Sequence, residues 1–256
     1  MEIKQLLADA KNKLATSEIS EIDAELLLAH ELGLTRMGLH NPIEVENALL
    51  NIDFEILSAN FAKNIERRIS SEPVQYITGV AYFRDLELEV GPGVLIPRPE
   101  TEGLVSYVLD VYSEKQGEIS AVDLGSGSGA IAISLSLENL NIRAIAVEKS
   151  PAALEWLKRN VAKYAPDLRV VESDVSTALE GIKCDIVVAN PPYVPTNMDL
   201  PAEVKNHEPH EAIFGGQTGL EVPQLFITSA ARLLKSNGLF VMEDRKSTRL
   251  NSSHDQ

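Results

Sequence analysis

The stretch CDIVVANPPYVP, residues 184–195, decides how the rest of the chain is read. Its β-branched and apolar run stops at Asn190, Pro191, Pro192 and Tyr193. A run of that length, ended by two prolines that cannot donate to a sheet ladder, predicts a buried strand with an open carboxyl end. In open α/β sheets that end is where ligands bind. Asn190 brings a side-chain carbonyl and amide, Pro191 and Pro192 keep their carbonyls but have no N–H, and Tyr193 adds a flat face with a polar tip. Such a site suits a planar group that carries N–H donors, and in this context the tetrapeptide resembles the signature of methyltransferases acting on an amino or amide nitrogen.

Working outward, the next informative segment is DLGSGSG at 123–129. Gly125, Gly127 and Gly129, separated by Ser126 and Ser128, let the backbone approach a ligand closely, and the helix that follows presents free N–H groups. Alone, the turn is ambiguous, because Gly125, Gly127 and Ala130 also satisfy a dinucleotide pattern. Asp123 suits the cationic amino group of a methionyl moiety better than a pyrophosphate, and Glu148, at the end of the next strand, is placed to accept from ribose hydroxyls. The carbonyl-rich clamp at 190–193 has no use in hydride transfer, so the expected cofactor is S-adenosylmethionine, with Asn190 bordering it. Asp174 is a candidate for the adenine amino group, with the Val175 backbone beside the ring; an ordinary strand-end aspartate is the equal alternative.

Strand candidates at 119–124, 142–147, 168–171, 185–189 and 239–242 alternate with helices starting near Gly129, Pro151 and Glu221. Ser150 before Pro151 reads as an N-cap. The alternation predicts a parallel, doubly wound α/β sheet of the Rossmann-like kind. Before it, residues 2–70 carry helical stripes, among them Ile3, Leu6, Leu7, Ala10 and Leu14, then Phe54, Leu57, Phe61, Ile65 and Ile69, which predict a small all-α bundle. Between these parts, Phe83, Leu86, Leu88 and Val90, a turn at Gly91-Pro92-Gly93 and a second run at Val94, Leu95 and Ile96 suggest a β-hairpin linker. Glu100 and Glu102 precede a helix at about 103–112 and suit its dipole; the functional alternative is that one of them, or Arg98, closes over the cofactor.

The formal charge of −15 argues against a broad phosphate-binding surface. Cys184 is the only cysteine, which excludes an intramolecular disulfide and a cysteine-based metal site, and its place in a buried strand predicts inert packing. No membrane span or secretion signal is evident, so a soluble cytoplasmic monomer is expected. His207 and His210, three apart with Pro209 between them, lack zinc-protease spacing, and no metal is expected. The segment 244–256, DRKSTRLNSSHDQ, has one leucine and no periodicity, and reads as a translated sequencing adapter outside the fold.

Taken together, PVQYITG at 73–79, LIPRPETE at 95–102, DLGSGSGAIAISL at 123–135, NPPYVP at 190–195 and EPHEAIFGGQTGL at 208–220 resemble the glutamine N5-methyltransferases that modify peptide chain release factors. The resemblance implies a helical substrate-recognition domain (1–72), a hairpin linker (73–99) and a class I methyltransferase domain (100–243) that moves a methyl group to the glutamine of a Gly-Gly-Gln motif. It places the cofactor at Gly125–Gly129 and Glu148, where the family more often has aspartate, and the glutamine at Asn190, Pro191, Pro192 and Tyr193. It also implies two strands after the position of Met242 that this chain lacks, a carboxyl-terminal truncation that leaves a sheet edge unpaired. Gly215-Gly216-Gln217 spells the substrate motif and reads as a coincidence in a loop. Three alternatives stay open: a glutamine in a ribosomal protein, adenine N6 in nucleic acid, and an inactive cofactor-binding fragment.

Overall fold

The computed structural model describes residues 2–244, so the expected adapter-derived tail lies, from residue 245 onward, outside the described residues. In chain order the helices are α1 (Glu2–Thr16), α2 (Glu21–Glu31), α3 (Pro42–Leu49), α4 (Phe54–Ile69), α5 (Val74–Thr78), α6 (Glu102–Val111), α7 (Ala130–Glu138), α8 (Pro151–Tyr164), α9 (Ala202–His207) and α10 (Glu221–Leu233). The strands are β1 (Val80–Phe83), β2 (Leu86–Glu89), β3 (Ile119–Leu124), β4 (Ile142–Glu148), β5 (Arg169–Glu172), β6 (Cys184–Ala189), β7 (Val194–Pro195), β8 (Phe214–Gly216) and β9 (Leu234–Met242). They form two compact units, one running to Gly79 and including Pro201–His207, the other made of Val80–Leu200 and the residues from Glu208 on.

In the helical unit three helix starts have a side-chain acceptor for orphan N–H groups: Ser20 for α2, Asn41 ahead of Pro42 for α3, and Asp53 for α4. The apolar stripes meet in one core, in which Leu14, Leu27, Leu28, Leu57, Phe61 and Ile65 are almost fully buried. α9 joins this unit through Arg68, whose guanidinium pairs with Glu203 at 2.8 Å and Asp23 at 2.7 Å. On α2, buried Glu25 takes Lys11 at 2.6 Å and Arg36 at 2.7 Å.

The second unit opens with an antiparallel hairpin, β1 on β2, that turns at Arg84 (φ +51°) rather than at Gly91-Pro92-Gly93. Ala81, Phe83, Leu86 and Leu88 face inward across this two-residue turn, which carries no glycine to announce it. The second arm expected at Val94 to Ile96 is no strand. Val94 and Ile96 are buried, yet Ile96 N–H donates to the Glu208 carboxylate and not to a ladder. Gly91 serves close approach instead, since a Cβ there would lie 2.4 Å from the Trp156 ring.

All five expected strands form the parallel sheet, in the order β5-β4-β3-β6-β9. β3, β4 and β5 succeed one another outward, and the chain then returns to place β6 on the other side of β3. The order therefore reverses between β3 and β6, and the crevice at that switch point is where such sheets take ligands. Register sets the rest: Leu124 pairs with Val147 and with Ala189, and Ala189 pairs with Met242. The residues that follow these positions emerge side by side at one end of the sheet. β9 begins at Leu234, five residues before the expected start, with a register shift between Cys184 and Ile186. Cys184 is buried, and burial pushes its thiol up to about 11, as inert packing requires.

The pairing at Glu25 makes acid stability a test of the helical unit. The hydrogen bond from Lys11, opposed by burial and reinforced by Arg36, lowers the Glu25 pKa from 4.5 to about 2. A depressed carboxylate contributes stability that is fully present above its unfolded pKa and is lost as pH falls toward the folded one. The urea midpoint is therefore expected to fall between pH 4.5 and about 2 more steeply in the wild type than in Glu25→Gln; equal slopes would contradict the pairing.

Candidate active site

The turn after β3 is locked from beneath. Gly125 and Ser126 N–H both donate to Val147 O at 2.9 Å, and Gly129 caps α7 at φ +87°. A side chain at Gly129 would be strained and would meet Leu157 Cδ1 at 2.7 Å. Asn160, fully buried on α8, holds the turn to the hairpin: its Nδ2 donates to Ser128 O and Glu89 O, and its Oδ1 accepts from Glu89 N–H. The signal for it was present, because residue 160 falls on the buried stripe of α8, where a polar group must find partners.

Asp123 sits below this turn at 1 % exposure, where Oδ2 accepts from Ala132 N–H at 3.2 Å. Its Oδ1 has no hydrogen-bond partner among the described residues, and burial pushes its carboxyl up to about 7. Glu148, at the tip of β4, accepts from Gly127 N–H at 2.9 Å and from Lys149 and Ser150 N–H at 2.8 Å each. Ser150 is the N-cap residue of α8 ahead of Pro151, as expected, but its side chain makes no capping bond, and the Glu148 carboxylate takes the Ser150 N–H. About four lone-pair directions surround a carboxylate, and three are used, which leaves Glu148 about one acceptor for a ligand hydroxyl.

Above these groups lies a cleft of about 190 Å³. Gly125, Ser126, Gly127, Ser128 and Glu148 form its floor; Asn190 and Pro192 border it from β6; Val175, Val222 and Phe226 supply apolar wall. Asp123, Gly129, Asp174, Pro191 and Tyr193 do not line it. Asp174 is turned to its own loop, accepting from Ser176 N–H at 3.0 Å and from the Ser176 hydroxyl at 2.7 Å, and these bonds hold its pKa down.

The remaining wall is the strap between Val94 and Thr101. Arg98 lines the cleft and pairs with Glu208, which is 4 % exposed and also accepts from Ile96 N–H at 3.2 Å. Glu102 instead accepts from Arg84 N–H at 2.9 Å, and Glu100 is exposed. Glu208 lies within the EPHEA stretch, and no local pattern there singles it out. His207 Nε2 meets Ser70 O in the helical unit, while His210 stands edge-on to Phe214 in the other.

At the tip of β6, Asn190 is half-buried and its Nδ2 donates to Thr101 Oγ1 at 3.0 Å. Thr101 donates in turn to Glu243 Oε2 at 2.6 Å, and Tyr193 donates to Glu243 Oε1 at 3.2 Å. Burial and the Glu243 charge push the Tyr193 phenol up to about 12, so it stays a donor. Behind the tip, β7 pairs in parallel with β8, a small sheet that periodicity did not reveal. Gly215 and Gly216 are thus strand residues, which corrects their reading as a loop: a Cβ on Gly215 would lie 2.6 Å from Pro192 O. Glycine at 215 lets the tip pack against β8, whereas a Cβ on Gly216 (φ +107°) would meet the Glu221 side chain.

Residues 105–204 match the Methyltransferase small domain family, and residues 5–79 match the PrmC N-terminal domain family. With a glycine turn on β3, an acid on β4 and a donor-poor tip on β6, the second unit is a class I S-adenosylmethionine-dependent methyltransferase. The release factor glutamine methyltransferase of Streptomyces coelicolor is 40% identical over 244 residues, covering 93% of this chain and 83% of that protein. That of Mycolicibacterium smegmatis is 40% identical over 230 residues (89% and 78%), and that of Moorella thermoacetica 37% over 249 (95% and 85%). The chain belongs to the release factor glutamine methyltransferase family.

The residues present fit the cofactor: a carboxylate with an acceptor to spare faces an apolar-walled cleft over a helix start. Glu148→Ala removes that acceptor and strands the Gly127, Lys149 and Ser150 N–H groups. Calorimetric affinity for S-adenosylmethionine is expected to fall by roughly 10- to 100-fold, the scale of one or two hydrogen bonds to a charged group. Unchanged affinity would remove Glu148 from the site.

Proposed function

We propose that this chain transfers a methyl group from S-adenosylmethionine to the side-chain amide nitrogen of the glutamine in the Gly-Gly-Gln motif of a peptide chain release factor. The observation that carries the proposal is Asn190: its amino end is engaged by Thr101, which leaves Oδ1 as an acceptor at the strand tip beside the cleft.

An amide nitrogen is a poor nucleophile because its lone pair is delocalised into the carbonyl. The remedy is orientation. Asn190 Oδ1 and the Pro191 carbonyl each accept one N–H of the glutamine, which fixes the nitrogen and stabilises the positive charge that develops on it. Tyr193 packs against the amide plane, and Pro192 closes the tip without offering a competing donor. When bound, S-adenosylmethionine supplies a methyl group on a sulfonium that departs as a neutral thioether. Gly125 to Ser128 and Glu148 would hold it, Asp123 and Gly129 support the turn from outside the cleft, and the apolar wall at Val175 would take the adenine, while Asp174 stays bonded to its own loop. No side chain acts as a strong base before attack; the proton leaves afterwards.

The helical unit supplies recognition of the protein substrate, in a cytoplasmic monomer. The formal charge of −15 favours a protein over nucleic acid. Among the described residues no helix is long and apolar enough to cross a membrane.

The experiment is incubation of the chain with purified release factor and labelled cofactor, followed by mapping of the modified residue. Label on the Gly-Gly-Gln glutamine is expected; label only on ribosomal protein or nucleic acid would replace the proposed substrate. Asn190→Ala is expected to lower turnover by about 100-fold or more while cofactor affinity stays within about threefold.

A further inference from the structure

Asn190 can present either end of its amide to a substrate, and the two ends select opposite atoms. Its oxygen captures an N–H, whereas its amino group would capture the carbonyl of the incoming amide and turn the nitrogen away from the methyl donor. Something must therefore hold the amide in one of two nearly isosteric orientations.

We propose that Thr101 and Glu243 are positioning residues whose hydrogen-bond polarity forces Asn190 to present its oxygen. The inference rests on the amide-binding role proposed for Asn190. Both residues are 5 % exposed, so neither finds its partner in bulk water. The Glu243 carboxylate can only accept, and at 2.6 Å it takes the single proton of the Thr101 hydroxyl. Thr101 Oγ1 is then left with lone pairs alone toward Asn190, and the group 3.0 Å away must be the amino end. The other Glu243 oxygen takes the Tyr193 hydroxyl, which ties both flanks of the tip to one carboxylate.

The fold brings these distant residues together by register. Glu243 N–H donates to Ala189 O at 3.1 Å, continuing the β6–β9 pairing one step past Met242 and setting Glu243 next to Asn190. Thr101 arrives from the other side, at the end of the strap just ahead of α6. It stands between Glu100 and Glu102, whose charges draw attention first, and Glu243 ends a strand as any acid might.

Glu243→Gln preserves size and hydrogen-bonding capacity and changes only polarity. Its amide can donate to Thr101, whose proton then goes to Asn190 Oδ1 and reverses the chain. A residue needed only for packing would tolerate this exchange. The orientation is read directly from hydrogen exchange of the Asn190 side-chain NH2 in 15N-labelled chain, assigned by its loss in Asn190→Ala. Exchange at least about tenfold faster in Thr101→Val and Glu243→Gln than in the wild type is expected, because the amino end loses its acceptor. On release factor, the same two variants are expected to lose about 100-fold in kcat with cofactor affinity within about threefold of wild type, while Thr101→Ser restores kcat to within about tenfold. Equal exchange rates in wild type and variants overturn the inference whatever the substrate. So does kcat within about threefold of wild type in Glu243→Gln, or a kcat loss matched by lost cofactor affinity. Absence of transfer to release factor by the wild type counts against the proposed function alone, and the exchange rates then decide the orientation.

Discussion

The site depends first on strand register. Leu124, Ala189 and Met242 lie in one row across β3, β6 and β9, so the next residues along each strand, Gly125, Asn190 and Glu243, emerge together where the strand order reverses. A slip of one residue in β6 would turn every side chain of that strand to the opposite face. The burial of Ile186, Val187, Val188 and Ala189 on both faces of the sheet makes such a slip costly. Apolar packing thus fixes the placement of polar chemistry that it never touches.

Once placed, the tip is defined by what it cannot donate. Two prolines strip N–H groups from the backbone after Asn190, Gly215 of β8 lets a second strand press against it, and one buried carboxylate absorbs the hydroxyl protons on either side. Acceptors are what remain. Glu148 shows a similar economy on the cofactor side, where one carboxylate ties the glycine turn to the start of α8 and keeps an acceptor over.

Much of this was legible in the sequence, for identifiable reasons. The five strands of the sheet show as apolar runs broken by turn residues, and the turn at 123–129 and the prolines at 191 and 192 are local signals whose meaning needs few neighbours. The hairpin is less legible because its turn, at Arg84, has no glycine, while the glycines at 91 and 93 serve contacts with Trp156 and Ala152. Asn160 is marked by its place on the buried stripe of α8, whereas Thr101, Glu208 and Glu243 carry no such mark, because their partners lie dozens of residues away in the chain. A lone buried polar residue carries no sequence pattern of its own; only the fold supplies the partner.

The central claim is that the tip offers two oxygens to a flat NH2 group. The most direct measurement is a crystal structure of the chain with S-adenosylhomocysteine and a glutamine-bearing peptide. The account predicts Asn190 Oδ1 and Pro191 O each at about 3 Å from the glutamine amide nitrogen. Oxygens turned from that nitrogen, or occupied by the protein's own N–H groups, would contradict it.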